Sequence, residues 1–192
     1  EASLPQVYIA DMRQELKTGN RTIFSRKLYE LISDRLNKHE QIMLFLNKRG
    51  TAGFVSCRSC GYVMKCPHCD VSMTLHRNGK LVCHYCGYET PNVSLCPECG
   101  SKYILGFKAG TEAVEDAVKK MFPAARVLRM DMDTTKGKDG HENILSAFAT
   151  EQADILIGTQ MIVKGHDFPK VTLVGGVAAD ISLYASDYKA VE

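Results

Sequence analysis

Eight cysteines, all between positions 57 and 99, carry the densest chemistry of this chain, and every one belongs to a C-x-x-C pair. The pairs are Cys57/Cys60, Cys66/Cys69, Cys83/Cys86 and Cys96/Cys99. Two residues between thiolates let one tight knuckle present both sulfurs to a single ion at the ~2.3 Å Zn–S distance. Four knuckles supply eight thiolates, enough for two closed tetrahedral sites and hence two zinc ions per chain. Gly61, Gly87 and Gly100 follow the second cysteine of three pairs, where a knuckle calls for a residue that tolerates positive φ. A thioredoxin-like redox pair needs one C-x-x-C opening a helix in a βαβ unit, which four clustered pairs do not match. Iron–sulfur ligation uses the same thiolates, but the knuckle glycines and the even pairing favour zinc.

Spacing bears on which pairs share an ion. The interval from Cys69 to Cys83 is close to that of a zinc ribbon and suits a small hairpin. Val71–Leu75 and Lys80–Val82 read as its strands, with Asn78-Gly79 as the turn. The middle pairs then form one site (Cys66, Cys69, Cys83, Cys86), which leaves Cys57, Cys60, Cys96 and Cys99 for the other. Sequential pairing, first with second and third with fourth, is the alternative. His68, His76 and His84 read as surface histidines, because the knuckles are complete without them.

These knuckles interrupt a pattern of another kind. Val7–Ala10 has strand character. Ser25 starts a helical pattern with Leu28, Leu31, Ile32 and Leu36 on one face. Gln41–Leu46 is the nearly continuous apolar run of a strand buried on both faces. After the last cysteine, strands at Tyr103–Leu105, Arg126–Met130, Asp154–Gly158 and Val171–Val174 alternate with helices from Gly110-Thr111 and over Glu142–Ala149. Alternating strands and helices predict an α/β fold with a mainly parallel sheet covered on both faces. The expected organisation is one lobe, residues 1–50 and 105–192, with a zinc-binding insertion at 51–104.

Composition supports a globular chain: of 192 residues, 45% are hydrophobic and 24% charged. A net charge of +2 gives no bulk argument for nucleic acid, and no apolar run approaches the roughly 20 residues of a membrane span. The chain begins at Glu1 rather than Met, which reads as a piece of something longer.

In a sheet of this kind, ligands bind beyond the carboxyl ends of strands and at helix N-termini. Three loops there are chemically loaded. Gly110-Thr111-Glu112 offers helix N-terminal amides and a hydroxyl, and Thr134-Thr135-Lys136-Gly137-Lys138 is basic. Gly158-Thr159-Gln160, followed by Lys164-Gly165-His166-Asp167, combines amides, a hydroxyl, a cation and a carboxylate. Each also has a plainer role: Thr111 as a helix cap, Lys136 and Lys138 as solvated charges, Asp167 as a turn residue. No G-x-x-x-x-G-K-[ST] occurs, so this chain does not itself cradle a nucleoside triphosphate in the P-loop manner.

The run Ile155–Pro169 resembles helicase motif V of the PriA family of bacterial replication-restart helicases. Leu44–Gly50 resembles that family's motif IV, and the four C-x-x-C pairs match its cysteine-rich insertion. Gly110–Glu112, Phe122-Pro123, Arg129–Thr134 and Ala179-Asp180 also fall where the family has them. Two departures stand out. Gly175-Gly176 replaces one glycine and a bulky residue, which bears on strand packing there, and Lys108-Ala109 precedes Gly110 where a glycine is common.

The resemblance implies the second RecA-like lobe of a 3′→5′ DNA helicase that uses ATP and Mg²⁺, unwinds stalled or abandoned forks and starts primosome assembly. The Walker motifs of a first lobe and the arginine-rich motif VI are not in this sequence, so the piece alone is expected to be inactive. By the same resemblance, Gly110, Thr111, Thr159, Gln160 and Lys164 are candidate DNA contacts, and Gly165 and Asp167 are candidates for ATP coupling. Expected partners are forked or single-stranded DNA, primosome proteins and single-stranded DNA-binding protein, in a bacterial cytoplasm near the nucleoid. Tyr62, Tyr85 and Tyr88 are candidates to stack on bases, or to pack around the knuckles. The competing class is a zinc-ribbon adapter that binds nucleic acid without a motor.

Overall fold

The computed structural model describes residues 4–46, 54–76, 78–106, 111–131, 134–135, 140–159 and 167–177. Its elements, in chain order, are α1 (Met12–Lys17), α2 (Arg26–Asn37), β1 (Gln41–Leu46), β2 (Val55–Cys57), β3 (Thr74–Leu75), β4 (Lys80–Val82), β5 (Glu89–Pro91), β6 (Ile104–Gly106), α3 (Thr111–Met121), β7 (Val127–Met130), α4 (Gly140–Ala149), β8 (Ile155–Gly158) and β9 (Val171–Val177).

The apolar run of β1 becomes the centre of a four-stranded sheet of order β7-β8-β1-β9, and every adjacent pair is parallel. Side chains alternate between the faces with a period of two. Ile42, Leu44, Ile155 and Ile157 enter one core with Ile32 of α2 and Val114 and Val118 of α3. Met43 and Leu156 enter the opposite core with Leu145 and Phe148 of α4. Helices on both faces explain why β1 reads as uninterrupted hydrophobicity. Gln41, buried at the start of β1, donates its side-chain amide to the carbonyls of Phe148 and Ala153, both at 2.8 Å. Helix α2 starts where Ser25 Oγ accepts the Leu28 N–H at 3.1 Å, the N-cap that frees the helix of one orphan donor.

Gly175 answers the packing question raised by its departure from the family pattern. A Cβ there would stand 2.9 Å from Leu28 Cδ1 of α2 and 2.9 Å from Leu44 Cδ2 of β1. The glycine lets α2 sit close over the β1–β9 pair.

The cysteine-rich segment builds a separate small core. β2 and β6 form an antiparallel ribbon at its entrance and exit, and β3-β4-β5 form a second, three-stranded sheet. Val55, Met64, Met73, Leu81 and Ile104 pack with buried Cys57, Cys66, Cys83 and Cys96 between them.

Three expectations need correction. Val7–Ala10 makes no strand: the segment is exposed, with Ile9 at 96%. Apolar β-formers satisfy propensity, but a strand needs a hydrogen-bonded neighbour, and among the described residues none is provided. The strand expected at Tyr103–Leu105 forms as β6, but it pairs with β2 rather than joining the parallel sheet. The expected Val71–Leu75 strand shortens to β3, joined by single bridges from Lys65 to Ser72 and from Phe54 to Thr74. The Asn78-Gly79 turn forms as read, with Gly79 at φ +79° and Asn78 Oδ1 accepting the Lys80 N–H. β5, which the sequence reading missed, adds a third strand beyond it.

Candidate metal centres and strand-end loops

All four knuckles fold alike. In each, the residue after the second cysteine donates its N–H to the first cysteine's carbonyl: Gly61 to Cys57, Asp70 to Cys66, Gly87 to Cys83 and Gly100 to Cys96, at 2.8 to 2.9 Å. In each, the first cysteine's N–H returns to the next residue's carbonyl, at Tyr62, Val71, Tyr88 and Ser101. The turning residue has positive φ every time: +83° at Gly61, +78° at Gly87, +69° at Gly100 and +56° at Asp70. Asp70 is the knuckle residue that a search for glycine overlooks, and aspartate is among the few side chains that enter this region readily.

The knuckles converge in two groups. Cys57, Cys60, Cys96 and Cys99 bring their sulfurs within 4.8 Å of one another, and so do Cys66, Cys69, Cys83 and Cys86. The outer pairs therefore meet around the inner ones, in the nested arrangement rather than the sequential one. Sγ–Sγ distances are 3.7 Å for Cys57–Cys99, 3.7 Å for Cys60–Cys96 and 3.6 Å for Cys66–Cys86. A disulfide needs about 2.05 Å, and all eight thiols are free. A regular tetrahedron with ~2.3 Å metal–sulfur bonds has sulfur edges of about 3.8 Å. The donor sets therefore fit zinc in both number and spacing.

Electrostatics points the same way. Desolvation raises the Cys57 thiol, but the Cys60 and Ser59 backbone N–H groups outweigh it and bring the pKa to about 7. The Ser101 N–H favours the Cys99 thiolate, yet desolvation and the sulfurs of Cys60, Cys57 and Cys96 overcome it and push the thiol up to about 12. In the inner group, the Cys86 and Tyr85 N–H groups bring Cys83 down to about 7. There the Cys86 sulfur, followed by desolvation and Cys66, pushes Cys69 up to about 12. Four thiolates this close repel, so without a cation they do not ionise together; a divalent ion removes that conflict.

Among the described residues, no histidine belongs to either group. His76 and His84 face each other, Nε2 to Nε2 at 3.1 Å, and the His68 ring meets Tyr88 edge-on. Tyr62 and Tyr88 pack against the module core, whereas Tyr85 stands 83% exposed.

At the parallel sheet, Met130 and Gly158 are register partners, so Asp131 and Thr159 leave the sheet together at its carboxyl edge. Thr159 is half-buried there. Thr111, the first residue of α3, is buried, and its hydroxyl donates to the carboxylate of buried Asp131. Asp131 Oδ1 also accepts the Thr134 N–H at 3.0 Å, and its carbonyl accepts the Thr135 hydroxyl at 2.6 Å. Asp131 thus ties two of the three chemically loaded loops together, and the Thr111 hydroxyl is committed inward. No sequence signal pointed to that role.

Asp167 lies elsewhere. It is exposed and precedes Phe168, whose ring packs on Phe148 with centroids 5.3 Å apart. Because the Phe148 carbonyl is held by Gln41, this contact belongs to the amino end of the sheet, away from Thr159. Gly110, Gln160, Lys164 and Gly165, like Lys136 and Lys138, lie outside the described residues. Among the described residues no helix is long and apolar enough to cross a membrane.

Comparison with known proteins places this architecture. The profile of the PriA DNA helicase Cys-rich region domain matches residues 66–91, which contain all four inner cysteines. The chain is 55% identical, over 98% of its length, to the replication restart protein PriA of Bacillus subtilis. It is 48% identical over 98% to that of Synechocystis and 37% identical over 96% to that of Haemophilus influenzae. It spans 24%, 23% and 25% of those relatives' lengths. With the cysteine-rich profile at its centre and this identity running through both flanks, the chain belongs to the PriA family, of which it represents about a quarter of the length.

Proposed function

We propose that this chain is the second RecA-like lobe, interrupted by a two-zinc insertion, of an ATP-dependent 3′→5′ DNA helicase. The enzyme would recognise and unwind stalled or abandoned replication forks and start primosome assembly. The observation that carries this reading is the 55% identity across 98% of the chain to a protein named for replication restart. The proposed division follows the sequence: lobe residues 1–50 and 105–192, insertion 51–104.

Each part has a physical role. Cys57, Cys60, Cys96 and Cys99 would hold one zinc and Cys66, Cys69, Cys83 and Cys86 the other. A zinc closed by four thiolates has no open position, so both ions stiffen the module rather than react. Thr159 at the carboxyl end of β8, with Gln160, Lys164, Gly110 and the amides around Thr111, would meet the phosphates of the translocating strand. Gly165 and Asp167 would face ATP and Mg²⁺ held against a further lobe, where P-loop chemistry supplies the hydrolysis this sequence lacks. Tyr85 is the exposed aromatic best suited to stack on an unpaired base. Primosome proteins and single-stranded DNA-binding protein are the proposed partners, in the cytoplasm by the nucleoid.

The test is ATP-driven unwinding of a forked duplex by the full-length protein and its Asp167→Ala variant. The reading expects unwinding by the former, and impaired unwinding with intact zinc content in the latter. Fork binding without any ATP-driven unwinding by the unsubstituted protein would instead make this a zinc-ribbon adapter. Unchanged unwinding by the variant would make Asp167 a turn residue only.

A further inference from the structure

Arg58 sits inside the first knuckle, between Cys57 and Cys60, yet its side chain serves another part of the molecule. Nη2 donates to the Asn20 carbonyl at 2.9 Å, Nη1 to the Arg21 carbonyl at 3.1 Å and Nε to the Met12 carbonyl at 3.4 Å. These three acceptors belong to α1 and to the turn that leads into α2. The turn is itself anchored: Asn20 Nδ2 donates to the carbonyl of Phe24, a core residue, at 2.8 Å. On the other side, the Arg58 backbone N–H donates to the Tyr103 carbonyl at 2.9 Å, and the Ser59 and Ser101 hydroxyls meet at 2.7 Å. A continuous polar path therefore runs from the outer cysteine group, through one guanidinium, to the lobe.

The chemistry suits arginine. Three carbonyls at different angles match a planar fork with five donors, whereas an ammonium is a compact point charge. Among the described residues, no hydrogen bond from the inner knuckle residues Pro67, His68, His84 or Tyr85 reaches α1 or α2. The two centres therefore differ in kind. The outer one is a joint, the inner one a tip.

We infer that Arg58 is a positioning residue that docks the outer metal centre onto the α1–α2 segment, so that the module moves with the lobe as one body. This rests on the helicase reading for its consequence in unwinding, but the docking itself stands on the contacts above. Metal bound by Cys57 and Cys60 fixes the backbone from which Arg58 projects, which makes docking depend on the outer ion and not on the inner one.

The experiment compares zinc-loaded full-length protein with Arg58→Gln and Arg58→Lys variants, measuring hydrogen exchange, DNA-stimulated ATP hydrolysis and fork unwinding. Arg58→Gln should keep both zinc ions and its ATP hydrolysis. Amides of residues 12–21 and 57–60 should lose about tenfold or more in protection, the scale of one or two charge-assisted hydrogen bonds. Unwinding per ATP hydrolysed should fall, and Arg58→Lys should restore part of it. A general structural defect would instead lower hydrolysis and zinc content together, and that result overturns the inference. Unchanged protection and unchanged unwinding in Arg58→Gln also overturn it. If the unsubstituted protein does not unwind forks, the helicase reading fails by itself, and loss of protection in the variant still upholds the docking.

Discussion

Cys60 Sγ and Cys96 Sγ stand 3.7 Å apart across 36 residues of sequence, which makes the outer group the clasp of the cysteine-rich segment. Cys66 and Cys86, by contrast, close a shorter span of 20 residues within it. Metal analysis of protein purified without chelator should give two zinc ions per chain. Cys66→Ser should lower that to about one, with limited proteolysis cutting only between the inner pairs. Cys57→Ser should expose both ends of the segment, because structural zinc contributes folding free energy directly, on the order of 10 kcal/mol in small peptides. Identical cleavage patterns for the two variants would refute the hierarchy.

Gly175 offers a test confined to the lobe. Valine there must force apart Leu28 and Leu44, whose methyls already stand 2.9 Å from the position of a Cβ. Overpacking of this kind costs about 1–3 kcal/mol. Urea unfolding of Gly175→Val should show a loss in that range at unchanged zinc content. Unchanged stability would mean that α2 shifts outward freely.

Asp131→Ala removes the acceptor shared by the Thr111 hydroxyl and the Thr134 N–H, and leaves Arg129, 3.5 Å away, facing Glu115 alone. Stranding one buried donor, one partly buried donor and a partly buried cation costs about 2–4 kcal/mol. A thermal melt should show that loss, and Asp131→Asn, which keeps one carbonyl acceptor, should recover part of it.

The Arg126–Asp154 pair should give the lobe a pH dependence of known sign. Hydrogen bonds from Arg126 hold the Asp154 carboxyl below its usual range. Its stabilisation is therefore full above the unfolded carboxylate pKa and is lost as pH falls through the lower folded value. Arg126 is 58% exposed, so screening limits the pair to at most about 1 kcal/mol. Denaturant titrations at neutral and strongly acidic pH should show a smaller acid-induced loss in Asp154→Asn than in the unsubstituted chain.

What the sequence made legible follows from local physics. The periodicity of α2 and the two-faced hydrophobicity of β1 are written residue by residue, and so are the glycine-marked knuckles. The Cys69–Cys83 interval, which suits a hairpin, pointed to nested pairing while sequential pairing stayed open, and the sulfurs gather in the nested groups. The unpaired state of Val7–Ala10 was not, since strand character says nothing about a partner. Nor was the transfer of Tyr103–Leu105 to the β2 ribbon, which depends on where the outer cysteines draw the chain. Asp70 and Asp131 escaped because their roles are conformational and long-range: one takes a left-handed turn without being glycine, the other joins two loops.

The placement of β1 also governs the order in which the molecule can be built. Both neighbours of this central strand, β8 and β9, come after the cysteine-rich segment, and the Gln41 amide waits for carbonyls 107 and 112 residues downstream. Contacts within the cysteine-rich segment close over 51 residues or fewer, the widest being the Val55–Gly106 pair of the β2–β6 ribbon. Short loops close before long ones, so on a growing chain with zinc at hand this segment matures first. β1 meanwhile stays a bare apolar ribbon until the final third of the lobe emerges. Pulse-labelled exchange during refolding would register that sequence as early protection at Val55–Ile104 and late protection at Ile42–Leu46. The zinc-bearing segment is then an early-folding island inside a domain that closes last around its own centre.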